Sequence, residues 1–369
     1  MKKKVIVIGA GIAGTSAAAA LAGCCDVMVL EQETHPGYHA TGRSAATWAP
    51  FYGPDIIQQL TALSLPLLSH PNRSFSEAPF TSPKGELMLG RKEDQLEIEK
   101  HLALGMQSLT VEQAMKIVPL INADAVDSIL YSDNMLDIDV NALHQAYIKH
   151  LKRNDGKLIC NAKVESLVHK NRQWQVTTKE TTWNCDVVIN AAGAWADHIA
   201  RIGGVTPLDI QPKRRTAAMV PYLDEFNMSR WPMVFGAAEN FYCTPFGNGL
   251  MVSPADETPV EPHDAWPDDL DVARGIEEFQ NYINYEVTRV DHRWAGLRTF
   301  TRDGEPAVGF AADAEGFFWL AGQGGYGIQT SPAIAAICHH LIAGDTSTQS
   351  SLSEINIQHI ERLNPARLT

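Results

Sequence analysis

The chain opens on a β-rich apolar run, VIVI at 5–8, then GAGIAG at 9–14, then TSAAAALAG. This pattern predicts a strand, a tight turn and an alanine-rich helix ending near Gly23. A second apolar run at 27–30 closes on Glu31, so the opening segment spells a parallel βαβ unit with an acid at the tip of its second strand. Helical spacing recurs at 55–68 and 139–151; in the latter Val140, Leu143, Tyr147 and Leu151 share a face and Asp139 stands as N-cap. A turn and strand are predicted over 79–89, with further strands at 158–164, 174–178 and 187–191. The last of these runs into Gly193 and a helix from Trp195, repeating the order of the amino terminus. From 215 to 290 the βαβ alternation stops. Strand-like runs at 216–220 and 250–253, a proline-rich acidic stretch at 254–271 and a helix at 272–288 read as a separate, largely antiparallel layer. A strand at 317–321, the glycines of GQGGYG at 322–327 and a helix at 331–342 complete the pattern.

Composition narrows the class. With 369 residues, 45% hydrophobic and 20% charged, the chain can bury substantial cores, which excludes small-scaffold, collagen-like and disordered readings. The 43 acidic against 30 basic residues give a net charge of -13, opposed to phosphate neutralisation, so no nucleic-acid partner is expected. Cysteines at 24, 25, 160, 185, 243 and 338 show neither C-x-x-C nor zinc spacing, so no metal and no disulfide framework is expected. Reduced thiols suit a cytoplasmic location. Lys2, Lys3 and Lys4 before an apolar run imitate a secretory signal, but the glycine spacing speaks against one. No run approaches the roughly 18 apolar residues of a spanning helix, so no transmembrane segment is expected, and peripheral contact with the inner membrane stays open.

The glycines suggest the chemistry. Gly9 permits the tight turn, Gly11 lets the backbone approach a pyrophosphate, and Gly14 lets the helix pack on the strand. Glu31 would accept hydrogen bonds from an unphosphorylated ribose, which argues against NADP. Three later segments favour FAD over NAD. TGRSAA at 41–46 could pass beneath the pyrophosphate and flavin, VVINAAGAWAD could return a glycine to the adenine side, and GQGGYGIQTSP could aim a helix N-terminus at the flavin pyrimidine.

The stretches VIGAGIAG, PGYHATGRSAA, LHQAYIKHLKRN, VINAAGAWAD, IQPKRR, WAGLRTF and EGFFWLAGQGGYGIQTS resemble the D-amino acid oxidase superfamily of FAD-dependent oxidoreductases over nearly the whole chain. The resemblance is strongest to its bacterial D-arginine dehydrogenases. It implies an α/β, two-lobed fold. The FAD domain, a Rossmann unit of glutathione-reductase type, would comprise 1–80, 138–206 and 292–369; a substrate domain with a large, mainly antiparallel sheet would comprise 81–137 and 207–291. Non-covalent FAD would be held by Gly9, Gly11, Ile12, Ala13, Gly14, Glu31, Gln32, Thr41, Gly42, Arg43, Ser44, Ala45, Ala46, Val164, Ala192, Gly193, Trp195, Gly324, Gly325, Tyr326, Gly327, Ile328, Gln329 and Thr330.

The implied activity is oxidative deamination of a D-amino acid, basic or broad in range, to a 2-oxo acid and ammonia, by hydride transfer from the α-carbon to flavin N5. Electrons would pass to a quinone, another acceptor or O2. The resemblance places a carboxylate clamp on Arg215 and Arg298, with Tyr242 adding a hydroxyl, Tyr52 touching substrate and Glu86 facing a cationic side chain. Arg214 competes with Arg215 for the first clamp position. Read without the resemblance, each arginine is a surface or structural ion pair and Glu86 an exposed residue beside a turn. Phe51, Cys24 and Cys25 read as packing residues, and His339 and His340 as structural or exposed. Two positions depart from the relatives: Thr47 replaces an active-site histidine and Ala49 a threonine, which puts substrate range and pH profile in question. Competing functions are a glycine or sarcosine-type oxidase using O2, a 2-hydroxy-acid dehydrogenase, and a flavin-binding electron-transfer subunit without its own substrate.

Overall fold

The computed structural model describes residues 2–344 and 357–369. Strand Lys4–Ile8 sits near the middle of a six-stranded sheet, paired in parallel with Asp26–Leu30 on one side and Val187–Asn190 on the other. Lys157–Ile159 extends one side; Phe317–Ala321 and then the antiparallel edge Ala307–Phe310 extend the other. These strands are buried on both faces, so their sequences are continuous apolar runs and not alternations. Helix Ile12–Leu21 is almost wholly buried because its alanines let it lie close against the sheet and helix Gly327–Ala343. A Cβ on Gly14 would come 2.0 Å from the Gly9 carbonyl oxygen, so only glycine allows this helix to dock on its own turn.

The second large layer is a nine-stranded, mainly antiparallel sheet whose long members are Gln211–Pro221 and His292–Phe300. One parallel pair, Met233–Gly236 with Glu86–Gly90, interrupts the antiparallel order. On one face Leu87, Val234, Cys243, Leu250 and Val252 pack into a core closed by Phe279 and Tyr282 of helix Asp269–Tyr282. The opposite face turns towards the six-stranded sheet. Two small three-stranded sheets complete the fold: a meander, Val164–Lys170, Gln173–Thr178 and Thr182–Cys185, and a mixed-origin sheet of Thr47–Trp48, Leu136–Ile138 and Thr81–Pro83.

Several expected elements shift. The single strand expected at 158–164 is two, in different sheets, because Asn161 takes a left-handed conformation (φ 55°) and the Asn161 and Ala162 amides turn to the Glu33 and Glu31 carbonyls. The helix expected at 272–288 spans Asp269–Tyr282 instead; the Asp268 carboxylate accepts from the Leu270 and Asp271 amides and starts it early. The last long helix begins at Gly327 and not at 331. It carries Pro332 near its start, and the Ser331 hydroxyl donates to the Ile328 carbonyl that Pro332 cannot serve. The expected strand at 79–89 divides into Thr81–Pro83 and Glu86–Gly90, in separate sheets. Strand His292–Phe300, which the sequence assigns to the third cofactor segment, is hydrogen-bonded along its length to Gln211–Pro221 in the large sheet. Its composition, WAGLRTF, does not distinguish a parallel from an antiparallel partner.

Candidate active site

A cavity of about 470 Å³ joins the two large sheets. Its first wall is the glycine turn: Gly9, Gly11, Ile12 and Ala13 line it, and helix Ile12–Leu21 starts at Gly11 with no side-chain cap. That N-terminus suits a pyrophosphate. The Thr41 hydroxyl accepts from the Ile12 amide at 2.9 Å, which fixes the predicted 41–46 loop beside the helix start. Glu31 lines the cavity from the tip of its strand, its two oxygens accepting from the Ala10 amide at 2.8 Å and the Glu33 amide at 3.0 Å. Both bonds hold the carboxylate in place, with lone pairs left for ribose hydroxyls. His144, buried behind the turn, donates from Nε2 to the Ala10 carbonyl at 2.9 Å; burial holds its pKa below the ordinary value, so it is a neutral buttress.

Gln32, Thr41, Arg43, Ser44, Ala45, Val164, Ala192, Gly193, Trp195, Gly324, Gly325, Gly327 and Ile328 also lie on the cavity wall. Gly14, Gly42, Ala46, Tyr326, Gln329 and Thr330 do not. Gly14 packs beneath the turn, Gln329 accepts from the Ala49 amide at 2.9 Å, and Thr330 donates back to the Tyr326 carbonyl. Gly42, Ala46 and Thr47 line a second cavity of about 530 Å³ behind the same loop. Residues that the sequence did not single out complete the wall, among them Tyr38, His39, His198, His263, Trp294 and Gln323. They come from segments far apart in the chain: Tyr38, His39, Trp294 and Gln323 lie within the motifs that carry the resemblance, His198 and His263 outside them. Arg43 is fixed by ion pairing with Asp264 and by donation to the Ala265 and Ala295 carbonyls, so the proline-rich stretch is latched across the cofactor loop.

FAD fits this lining on structural grounds. Gln323 Nε2 is buried on the wall without a hydrogen-bond partner, and helix Gly327–Ala343 starts beside it without a side-chain cap. Together they require an acceptor-rich group, which a flavin pyrimidine supplies.

At the large-sheet end the cavity meets Arg215, Tyr242 and Arg298. Lys213 and Arg298 face each other across two strands, with Arg215 opposite Gly296 one step further on. Arg298 is enclosed by protein, and its remaining exposure is to the cavity. It donates to the Tyr52 hydroxyl at 3.1 Å and has no carboxylate partner among the described residues. Gly325 makes this possible, since a Cβ there would lie 2.8 Å from Arg298 Nη1. Tyr52 packs edge-on to Tyr326, ring centroids 5.0 Å apart, and shields that side. Burial pushes the Tyr242 phenol up, but the Arg298 and Arg215 guanidiniums outweigh it and hold its pKa below the usual tyrosine value.

Arg215 is engaged differently. Its Nε donates to the Asp256 carbonyl at 2.8 Å and its Nη2 to Glu257 at 3.0 Å. Arg214, its competitor, turns away to Asp271 at 2.7 Å and does not line the cavity. Glu86 is buried and does not line the cavity either. It opens strand Glu86–Gly90 opposite Ser132, and burial pushes its carboxyl up to about 7 against a hydrogen bond with Ser132. Strand register puts it on the same sheet face as Phe235 and Tyr242. The exposed glutamate expected from the flanking turn is therefore corrected. The thiol of Cys24 is exposed and 3.6 Å from His339, while Cys25 is buried.

Comparison with known proteins agrees with the fold and with FAD as the cofactor. The chain is 24% identical to mouse "FAD-dependent oxidoreductase domain-containing protein 1" over 93% of this chain and 82% of that protein. Its fold superimposes on L-proline dehydrogenase from P. horikoshii with TM-score 0.82 at 22% identity, covering 99% of this chain and 97% of that one. It superimposes on glycine oxidase from Geobacillus kaustophilus with TM-score 0.80 at 20% identity, covering 96% and 99%. These likenesses carry the fold, and not the D-arginine dehydrogenase branch. No helix among the described residues is long and apolar enough to cross a membrane. The family model described as "DAO: FAD dependent oxidoreductase" matches residues 4–341, and the chain belongs to that family.

Proposed function

We propose that this protein oxidises D-amino acids of broad side-chain range to 2-oxo acids and ammonia. The observation that carries this reading is Arg298: a guanidinium facing the cofactor cavity, held by the Tyr52 hydroxyl and without an ion pair to any carboxylate among the described residues. Such a group binds a substrate carboxylate by charge-assisted hydrogen bonds and so orients the α-carbon. The Tyr242 hydroxyl, beside both guanidiniums, is a second polar contact. When bound, FAD supplies the hydride acceptor. The Tyr52–Tyr326 pair limits water on the Arg298 side. With Thr47 in place of an imidazole, the amine brings its own lone pair once deprotonated, so the rate rises with pH until the amine is neutral. Support for the D series is the resemblance of the segments holding Tyr52, Glu86, Arg215, Tyr242 and Arg298 to those of D-arginine dehydrogenases. A broad range is preferred to a dedicated arginine pocket because Glu86 does not line the cavity.

The test is anaerobic flavin bleaching by D-leucine, D-arginine, D-glutamate, L-arginine, L-proline and glycine in turn. D-leucine and D-arginine should reduce the flavin and L-arginine should not. Arg298→Lys should slow reduction by about a hundredfold while FAD stays bound, since lysine loses the forked contact. Reduction by glycine or L-proline alone would move the assignment to those substrates. A flavin that dithionite bleaches but no amino acid does would overturn the reading. Re-oxidation by O2 or by a quinone then identifies the acceptor.

A further inference from the structure

The two guanidiniums at the large-sheet end of the cavity are not equivalent. Arg298 is open, whereas Arg215 is bonded through Nε to the Asp256 carbonyl and through Nη2 to Glu257 Oε1. The other oxygen of Glu257 accepts from Lys213 Nζ at 2.9 Å, so a single carboxylate bridges two cations. Glu257 is held on both sides. Before it, Asp256 accepts from the Thr216 amide at 2.6 Å and hydroxyl at 3.0 Å; after it, Thr258 pairs with Arg214 in the sheet. The carboxylate therefore sits in a preorganised place, and the pairing does not depend on a freely rotating surface chain.

We infer that Glu257 is a specificity-determining residue: it occupies Arg215 as a built-in second carboxylate, and so restricts the site to substrates bearing one. This rests on the reading that Arg298 binds the substrate carboxylate. Arg215 lines the cavity and Glu257 does not, so the glutamate acts from behind the guanidinium: a dicarboxylate would find Arg215 already engaged through Nε and Nη2. A monocarboxylate meets only Arg298. Fields from Lys213, Arg215 and Arg298 outweigh burial and hold the Glu257 carboxyl below its usual range, so it stays ionised at neutral pH. Glu257 is 42% exposed, so a glutamine there keeps shape and packing while removing the charge.

The experiment uses FAD-loaded protein and two ligands that cannot be oxidised, butyrate and glutarate, with flavin absorbance changes as the measure of binding. Wild type should bind butyrate in preference to glutarate. In Glu257→Gln the glutarate-to-butyrate affinity ratio should rise by about tenfold or more, the scale of one hydrogen bond to a charged group. Arg298→Lys should weaken both ligands. If butyrate binds but the ratio is unchanged in Glu257→Gln, or if wild type already prefers glutarate, the inference is overturned and the carboxylate role of Arg298 stands. If neither ligand perturbs the flavin of either form, the carboxylate reading fails and the inference with it.

Discussion

Replacing Glu86 by glutamine should stabilise the protein in a pH-dependent way. Glu86 is 8% exposed, and burial raises its carboxyl from 4.5 to about 7, with the Ser132 hydrogen bond opposing. A carboxyl raised on folding favours the protonated native state. Its contribution is fully present below pH 4.5 and is lost as pH rises to about 7, because the unfolded chain ionises first. At 1.36 kcal/mol per unit, the whole shift amounts to about 3 kcal/mol, of which about 2 to 3 kcal/mol falls between pH 5 and pH 8. Glu86→Gln keeps the shape and cannot ionise, so its stability relative to wild type should improve by that amount from pH 5 to pH 8. Urea unfolding of both proteins at both pH values, each saturated with FAD, reads the effect as a change in midpoint at constant slope. An equal difference between variant and wild type at the two pH values would refute the reasoning, since it would mean that Glu86 does not titrate between them.

Two other substitutions test the cofactor cradle. Gly14→Ala should lower stability by at least about 2 kcal/mol and reduce flavin content, because its Cβ would lie 2.0 Å from the Gly9 oxygen; an unchanged melting temperature would contradict the close packing. Asp264→Ala frees Arg43 from its ion pair and should speed FAD dissociation about two- to fivefold, the scale of one partly exposed ion pair, with the effect shrinking in high salt. A stopped-flow release rate equal to that of wild type would show that the latch does not retain the cofactor.

The cofactor end of this protein was legible in the chain because its determinants are local. A β-rich run, a glycine-spaced turn and an alanine helix lie within a few residues of one another, and Glu31 closes the same unit. Where the structure departs through distant contacts, the Asn161 turn is tied to the carbonyls of Glu31 and Glu33, and strand His292–Phe300 takes its direction from Gln211–Pro221; the start of helix Asp269–Tyr282 moved through the adjacent Asp268 cap.

The substrate end was legible as residue types and not as an arrangement. Arg214 and Arg215 are equivalent in sequence; strand alternation sends one to Asp271 and the other to the cavity, and only register in the large sheet sets which. Glu86 and Leu87 pose the same choice, and the structure turns Leu87 to the core and Glu86 to the opposite face. Glu257 gave no signal at all, since a glutamate in an acidic, proline-rich stretch looks like solvated loop. Its place on Arg215 follows from Asp256 on Thr216 and Thr258 on Arg214, contacts across about 40 residues. The sequence by itself determined the dinucleotide fold and the cofactor class, because backbone conformation and periodicity are short-range properties. The tertiary structure decided which guanidinium is open and which is filled, because strand register and ion pairing depend on segments that meet only when the sheets close.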